Sequence, residues 1–129
     1  MRVLKDYRPS PTAAVISVLS RVLDCPVSMQ VPTERPPVFV TVQRTGGAMR
    51  DVVTDRARIA IQCWANNLPM AENMCFKAGA VLSQWAESGE TVEGVAVRFF
   101  KEVTAPLHFP DESGHPRFQI FVELEFIVH

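Results

Sequence analysis

Alternating apolar and polar positions are the strongest pattern in this chain, and they are clearest in its last residues. From Phe118 to Val128 every second residue is apolar, and Glu123 and Glu125 lie between them. A period of two predicts a strand with one buried face. Shorter stretches of the same kind predict strands over the ranges 27–31, 38–44, 56–65 and 92–103. We expect the closing strand and the turn before it to form a sheet edge.

Helical spacing of apolar residues predicts two helices, over 11–23 and 68–88. Ser10 and Asn67 are suitable N-cap residues, because their side-chain oxygens accept hydrogen bonds from the first turn. The order of elements predicts a single α+β domain over residues 1–129. Its sheet is expected to be largely antiparallel or mixed, with four to five strands and both helices packed on one face.

Two segments fall outside these elements. Residues 1–10 are mostly polar and are predicted to form a flexible N-terminal segment. Residues 45–55, which begin with Gly46 and Gly47, are predicted to form an extended hairpin loop between two strands. The glycine pair suggests a hinged loop that becomes ordered only on docking.

The composition is that of an ordinary folded protein. The 129 residues are 47% hydrophobic and 21% charged, with a net charge of −1, so no global field attracts nucleic acid or an anionic membrane. The three cysteines form no CxxC pair, which is typical of a reducing compartment. No apolar run approaches the roughly 18 residues of a membrane span, and no secretory signal is present. We therefore expect a cytosolic protein without a membrane partner.

Chemistry-bearing motifs are sparse. The chain contains no GxSxG, P-loop or HExxH motif. His108 and His115 flank Asp111 and Glu112 in a proline-rich loop, where the spacing is unlike that of metal sites and favours solvated turn residues. Cys25 follows the predicted end of a helix, where the helix dipole disfavours a thiolate. The sequence thus predicts a non-enzymatic protein with no catalytic residue, cofactor or metal.

Charged residues cluster around the predicted hairpin, namely Arg44, Arg50, Arg56 and Arg58 with Asp51 and Asp55. Three interpretations stay open at this point. The hairpin is a solvated element with internal ion pairs, a contact arm whose arginines pair with carboxylates of a neighbouring subunit, or a loop that contacts nucleic-acid phosphates.

A second signal comes from apolar residues that alternation assigns to the polar side of the sheet. These residues are Phe39, Trp64, Phe100, Phe121 and Ile127. Together they indicate a sheet face that another body covers. Another subunit would explain this, and so would packing of the N-terminal segment or the first helix on that face.

Four stretches in fixed order carry a resemblance to a known family. They are Val31-Pro32 with Arg35-Pro36, then Phe39-Val40-Thr41-Val42-Gln43-Arg44-Thr45-Gly46-Gly47, then the range 53–65, and finally Pro110-Asp111, Ser113-Gly114 and Pro116-Arg117-Phe118. In these stretches, and from the first helix to the chain end, the sequence resembles the tail terminator (minor tail, or tail completion) proteins of long-tailed bacteriophages and prophages.

The resemblance implies a structural subunit that forms a ring, typically a hexamer. Such a ring caps the tail tube, ends its polymerisation and offers a surface to the head–neck complex. The implied partners are copies of this chain, the tail tube protein and head–neck connector proteins, and phage DNA would pass through the ring without specific binding. The implied location is the virion tail, and the host cytoplasm during assembly.

The residues we expect at subunit or tube contacts are Arg44, Gly46, Gly47, Arg50, Asp55, Arg56, Arg58, Asp111, Ser113, Arg117, Phe121 and Glu123. Two alternatives remain. One is a head–tail joining or neck subunit, which resembles a terminator in size and fold class. The other is a nucleic-acid-binding module that uses the arginine-rich hairpin.

Overall fold

A computed structural model describes residues 8–128 of the chain as a six-stranded, curled sheet with two helices. The elements are α1 (Pro11–Ser20), β1 (Val27–Ser28), β2 (Phe39–Met49), β3 (Thr54–Trp64), α2 (Leu68–Ser88), β4 (Thr91–Val92), β5 (Val95–His108) and β6 (Arg117–Val128). Within this range the strand order is β1-β2-β3-β6-β5-β4; the β1–β2 pair is parallel and the other four pairs are antiparallel. The predicted α+β class is confirmed. The sheet has six strands rather than four to five, because two-residue strands extend both of its sides.

Both helices pack on the same face of the sheet, which we call the inner face. Helix α2 contacts β3, β5 and β6, while α1 contacts α2, β1, β2 and β4. Aliphatic residues of the long strands meet the helices in one core, which includes Val15, Leu19, Val42, Ile59, Ile61, Leu82, Ile120 and Leu124. Burying each such side chain stabilises the fold by about 1.5–3 kcal/mol before entropy is counted.

The helix boundaries follow from local chemistry. Ser10 Oγ accepts a hydrogen bond of 3.1 Å from the Ala13 amide, and Asn67 Oδ1 accepts one of 2.9 Å from the Met70 amide. Helix α2 ends at Gly89, whose φ of 70° lies in the left-handed region that terminates helices. No helix in the range 8–128 is long and apolar enough to cross a membrane. Most of the predicted flexible segment, residues 1–7, lies outside the described residues.

The hairpin of β2 and β3 is longer than predicted, and the prediction of an extended loop over 45–55 is wrong. Gly46 pairs with Arg58 and Gly47 pairs with Ala57, and the strands continue to the Met49–Asp55 pair. A register shift between Arg44 and Gly46 leaves one extra residue in β2, which is a β-bulge. The turn is therefore only residues 50–53, and the glycine pair is part of the ladder.

The single strand predicted over 92–103 is divided into β4 and β5. Glu93 and Gly94 have φ values of 52° and 77°, as a two-residue type I′ hairpin turn requires. A register shift between Val97 and Phe99 then reverses the alternation of β5. As a result Phe100 packs against the core, whereas the sequence pattern assigned it to the opposite face.

The closing strand, β6, is central in the sheet and does not lie at an edge. It pairs with β3 over its whole length and with β5 on its other side. The expected edge position is therefore wrong. Its predicted inward face is correct, since Ile120, Val122, Leu124, Phe126 and Val128 all belong to the core.

Candidate protein-interaction surface

The face of the sheet opposite the helices, which we call the outer face, brings several predicted contact residues together. One row of paired residues across β3, β6 and β5 is Arg58, Glu123 and Lys101, and the next is Arg56, Glu125 and Phe99. Phe121 and Ile127 lie on the same side of β6, half-buried. The outer face therefore combines charged and apolar side chains on rigid strands.

Ion pairs within the chain organise the charges of the outer face. Arg50 Nη1 lies 2.8 Å from Glu125 Oε1, and Arg56 Nη2 lies 3.3 Å from Glu125 Oε2. Arg56 Nε and Arg58 Nη2 lie 3.4 Å and 3.6 Å from the two oxygens of Glu123. Exposed ion pairs contribute little singly, but a shared network restrains its side chains. For these three arginines the structure shows the internal ion pairs of the first interpretation, with carboxylates of the same chain and not of a neighbouring subunit.

Burial differs sharply between the two signs of charge in this network. The Glu125 side chain is only 7% exposed, whereas those of Arg56 and Arg58 are 48% and 52% exposed. The arginines therefore cover the carboxylates and present their guanidinium groups to solvent. A partner that approaches this face meets arginine and phenylalanine, which are residues enriched at protein interfaces.

Arg44 and Asp55 form a separate pair at the hairpin end of the inner face. The Arg44 guanidinium donates two hydrogen bonds of 2.7 Å to the two carboxylate oxygens of Asp55, whose side chain is 2% exposed. The hydrogen bond from Arg44 is the main cause that lowers the pKa of Asp55. This bidentate geometry stabilises the base of the hairpin, so neither residue is placed as an outward contact.

The loop between β5 and β6 is fixed by Arg117. Its Nε donates to the Phe109 carbonyl oxygen at 2.7 Å, and its Nη2 donates to the Pro110 carbonyl oxygen at 2.8 Å. The guanidinium carbon lies 4.0 Å from the ring centroid of Phe109 and 5.3 Å from that of Trp64. Arg117 therefore holds the loop by hydrogen bonds and by cation–π contacts with two rings.

A second arginine joins this loop to the segment before β2. Arg35 Nη1 donates to Asp111 Oδ2 at 2.7 Å and to Ser113 Oγ at 3.1 Å. His115 Nε2 lies 2.8 Å from the Pro37 carbonyl oxygen. We call Arg35, Asp111, Ser113 and Arg117 the loop lock, because these four residues connect the two segments.

The loop lock helps to explain the burial of two of the five apolar residues that were predicted to lie on a covered face. Phe39 and Trp64 stack at 4.4 Å between ring centroids and are fully buried. Arg117 lies over Trp64, and the His115 ring contacts the edge of the Phe39 ring at 5.7 Å. The cover over these two aromatic residues is thus formed by loops of the same chain. These contacts account for the burial of Phe39 and Trp64 without a second subunit or α1.

Acid is expected to loosen the loop lock. Hydrogen bonds from Ser113 and Arg35 lower the pKa of Asp111 to about 2. Because the usual pKa of an unfolded aspartate is about 3.9, this stabilisation is fully present above that value and is lost as the pH falls toward about 2. Fluorescence of Trp64 in a Trp85→Phe background should follow this transition. An Asp111→Asn variant should lack it, and an unchanged pH profile in that variant would contradict the assignment.

The structure divides the twelve predicted contact residues into four groups. Arg50, Arg56, Arg58, Phe121 and Glu123 come together on the outer face, Arg44 and Asp55 form the inner pair, Gly46 and Gly47 lie in the β2 ladder, and Asp111, Ser113 and Arg117 belong to the loop lock. Sequence reasoning missed Glu125 and Arg35. Glu125 follows Glu123 on the same side of β6, which is a usable signal. Arg35 appears in the sequence analysis only in the pair Arg35-Pro36, and no local pattern connects it with Asp111.

Side chains that could bind a metal ion are dispersed in the structure. Within residues 8–128, no three histidine, cysteine, aspartate or glutamate residues are grouped so that they could hold a metal ion. His108 stacks on Phe118 at 5.7 Å between ring centroids. A groove of about 630 Å³ runs along α2, and its described lining contains one charged residue, Lys77, among Met70, Asn73, Met74 and Phe76.

Neither the protein-family models nor the curated proteins contain a match to this chain. A functional interpretation therefore depends on the sequence pattern and on the geometry of the outer face.

Proposed function

We propose that this chain is a structural subunit that assembles into a ring, in which each copy contributes its outer face to contact with a phage tail tube. The ring caps the finished tube, ends its polymerisation and presents a surface to the head–neck complex. The observation that supports this best is the grouping of Arg56, Arg58, Phe121 and Glu123 on one rigid sheet face. The resemblance in the four sequence stretches supplies the class of partner.

The physical properties of the outer face suit a protein partner. It is built on paired strands, and its arginines are already restrained by Glu123 and Glu125. A restrained surface loses less conformational entropy on binding, so more of the contact energy appears as affinity. Phe99, with 39% exposure, adds an apolar contact beside the arginines.

Native mass spectrometry of the purified protein, with and without tail tube, tests this proposal. A closed oligomer that binds tube ends is expected. Arg58→Glu, on the outer face, should weaken tube binding by about tenfold or more, which corresponds to about 1.4 kcal/mol. Lys77→Glu makes the same charge change on α2 and should leave tube binding unchanged. A strict monomer in every condition, with tube present as well, contradicts the proposal.

A nucleic-acid-binding role receives less support from the geometry. Phosphate binding depends on uncompensated positive charge, whereas Arg50, Arg56 and Arg58 share the carboxylates of Glu123 and Glu125. Salt-dependent DNA binding that is abolished by Arg50→Ala and Arg58→Ala would favour this role instead. The neck alternative uses the same kind of protein contact and is distinguished by the tail phenotype described below.

A further inference from the structure

Both sides of the sheet carry a long stretch of strand without a partner in the described part of the chain. Strand β1 covers only Val40 and Thr41 of β2, and β4 covers only Val95 and Ala96 of β5. The range 42–49 of β2 and the range 97–108 of β5 are therefore free edges within residues 8–128. Unpaired backbone N–H and C=O groups of such edges are a template for another strand.

The two free edges lie at the same position along the strand direction. Met49 and Val97 share one row of residues, since each is connected to the other through paired residues of β3 and β6. Gln43 and Thr104 share another row in the same way. The free edge of β2 therefore spans the same rows of the sheet as the first part of the free edge of β5, on the opposite side of the sheet.

The directions of β2 and β5 also allow antiparallel pairing between two copies. Three antiparallel steps separate β2 from β5, so the two strands run in opposite directions. Rotation of a copy about an axis parallel to the strands preserves the direction of every strand. Such a rotation places β5 of one copy antiparallel to β2 of the next. The contact is heterologous, because it joins two different edges, and heterologous contacts generate rings when the rotation closes.

Gly46 lies in the free edge of β2, beside the β-bulge between Arg44 and Gly46. A Cβ atom built there meets no atom of the described chain within 4 Å, and its φ is not in the left-handed region. Glycine within a strand often marks such a bulge. Strand side chains point out of the plane of the sheet, so the residue at this position does not obstruct a strand that pairs with the edge.

We propose that the free edge of β2, residues 42–49, pairs with the free edge of β5, residues 97–104, of a second copy. The inference rests on the proposed ring, because it names the contact between its subunits. Within this segment β5 has register shifts between Val97 and Phe99 and between Glu102 and Thr104. The shift between Thr104 and Leu107, together with Pro106, ends the pairing after Thr104. Strands β4 and β1 lie beyond the two ends of the paired segment.

Disulfide cross-linking tests the pairing. All variants carry Cys25→Ser, which leaves only the buried Cys63 and Cys75 of the native cysteines. The double variant Gln43→Cys/Thr104→Cys should form a ladder of covalent oligomers on oxidation, ending at the size of the ring. The single variants Gln43→Cys and Thr104→Cys should form no ladder. Dimers of Thr104→Cys alone would indicate pairing of two β5 edges and would overturn the proposal.

The same experiment separates this inference from the proposed function. Rings by native mass spectrometry without a ladder in the double variant would overturn the edge pairing while leaving the ring intact. A complete ladder from a protein that never binds tube ends would support the pairing and contradict the terminator role.

Discussion

Replacing Gly47 with valine is expected to unfold the hairpin end of the sheet, whereas the same replacement at Gly46 should leave the fold intact. Gly47 has a φ of +93°, and a Cβ atom there would lie 2.0 Å from the carbonyl oxygen of Arg56 and 2.9 Å from the Cα of Ala57. Those are backbone atoms of the paired strand, so they cannot move without breaking the ladder. Gly46 has open space in the same direction.

The expected difference in the free energy of unfolding between the two variants is large. A non-glycine residue forced into the left-handed region costs about 1–3 kcal/mol, and overpacking adds about 1–3 kcal/mol. Gly47→Val should therefore lose about 2–6 kcal/mol, a large part of the roughly 5–15 kcal/mol that stabilises a domain. Urea unfolding measures both variants under the same conditions. Equal losses at the two positions would show that the register of β2 against β3 is wrong.

Alternation predicted buried faces well wherever the register is regular. Ala57, Ile59, Ile61 and Cys63 of β3 are inward in the pattern and belong to the core. In β5 the same rule fails at the register shift between Val97 and Phe99. A bulge depends on the neighbouring strand, so a one-dimensional pattern of apolar residues does not contain it.

The glycine pair was misinterpreted for a related reason. In the sequence, Gly46 and Gly47 look like the start of a loop. In the structure both glycines are paired residues of β2. Glycine is needed at position 47 because the carbonyl oxygen of Arg56 occupies the place where a Cβ atom would lie. A close approach between strands is visible only when both strands are placed.

The candidate site was predicted in part, because its residue types were recognisable but their partners were not. The sequence left the partners of the hairpin arginines open, and internal ion pairs were one of three interpretations. In the structure Arg56 pairs with Glu125, which lies 69 positions later in the sequence. Arg35 finds Asp111 across 76 positions. Pairings over such distances follow from the strand order, in which β6 is inserted beside β3.

The proposed assembly uses two separate surfaces. The free edges of β2 and β5 would join copies into a ring, and the outer face would remain available for the tube or the neck. Heterologous contact with a repeated partner requires such a division, because the same surface cannot serve a neighbouring copy and a different protein at once.

The largest effect is expected in particles made without this protein. A terminator stops tube polymerisation, so its loss should give tails of variable and excessive length that do not join heads. Supplying the wild-type protein should restore uniform, joined tails, and the Arg58→Glu variant should restore them poorly. Lys77→Glu should restore them as well as the wild type does.

Tail length measured by electron microscopy of such particles tests the terminator role most directly. Overlong tails without heads are the predicted result. Tails of normal length beside empty or leaking heads would contradict it and would assign the chain to the neck.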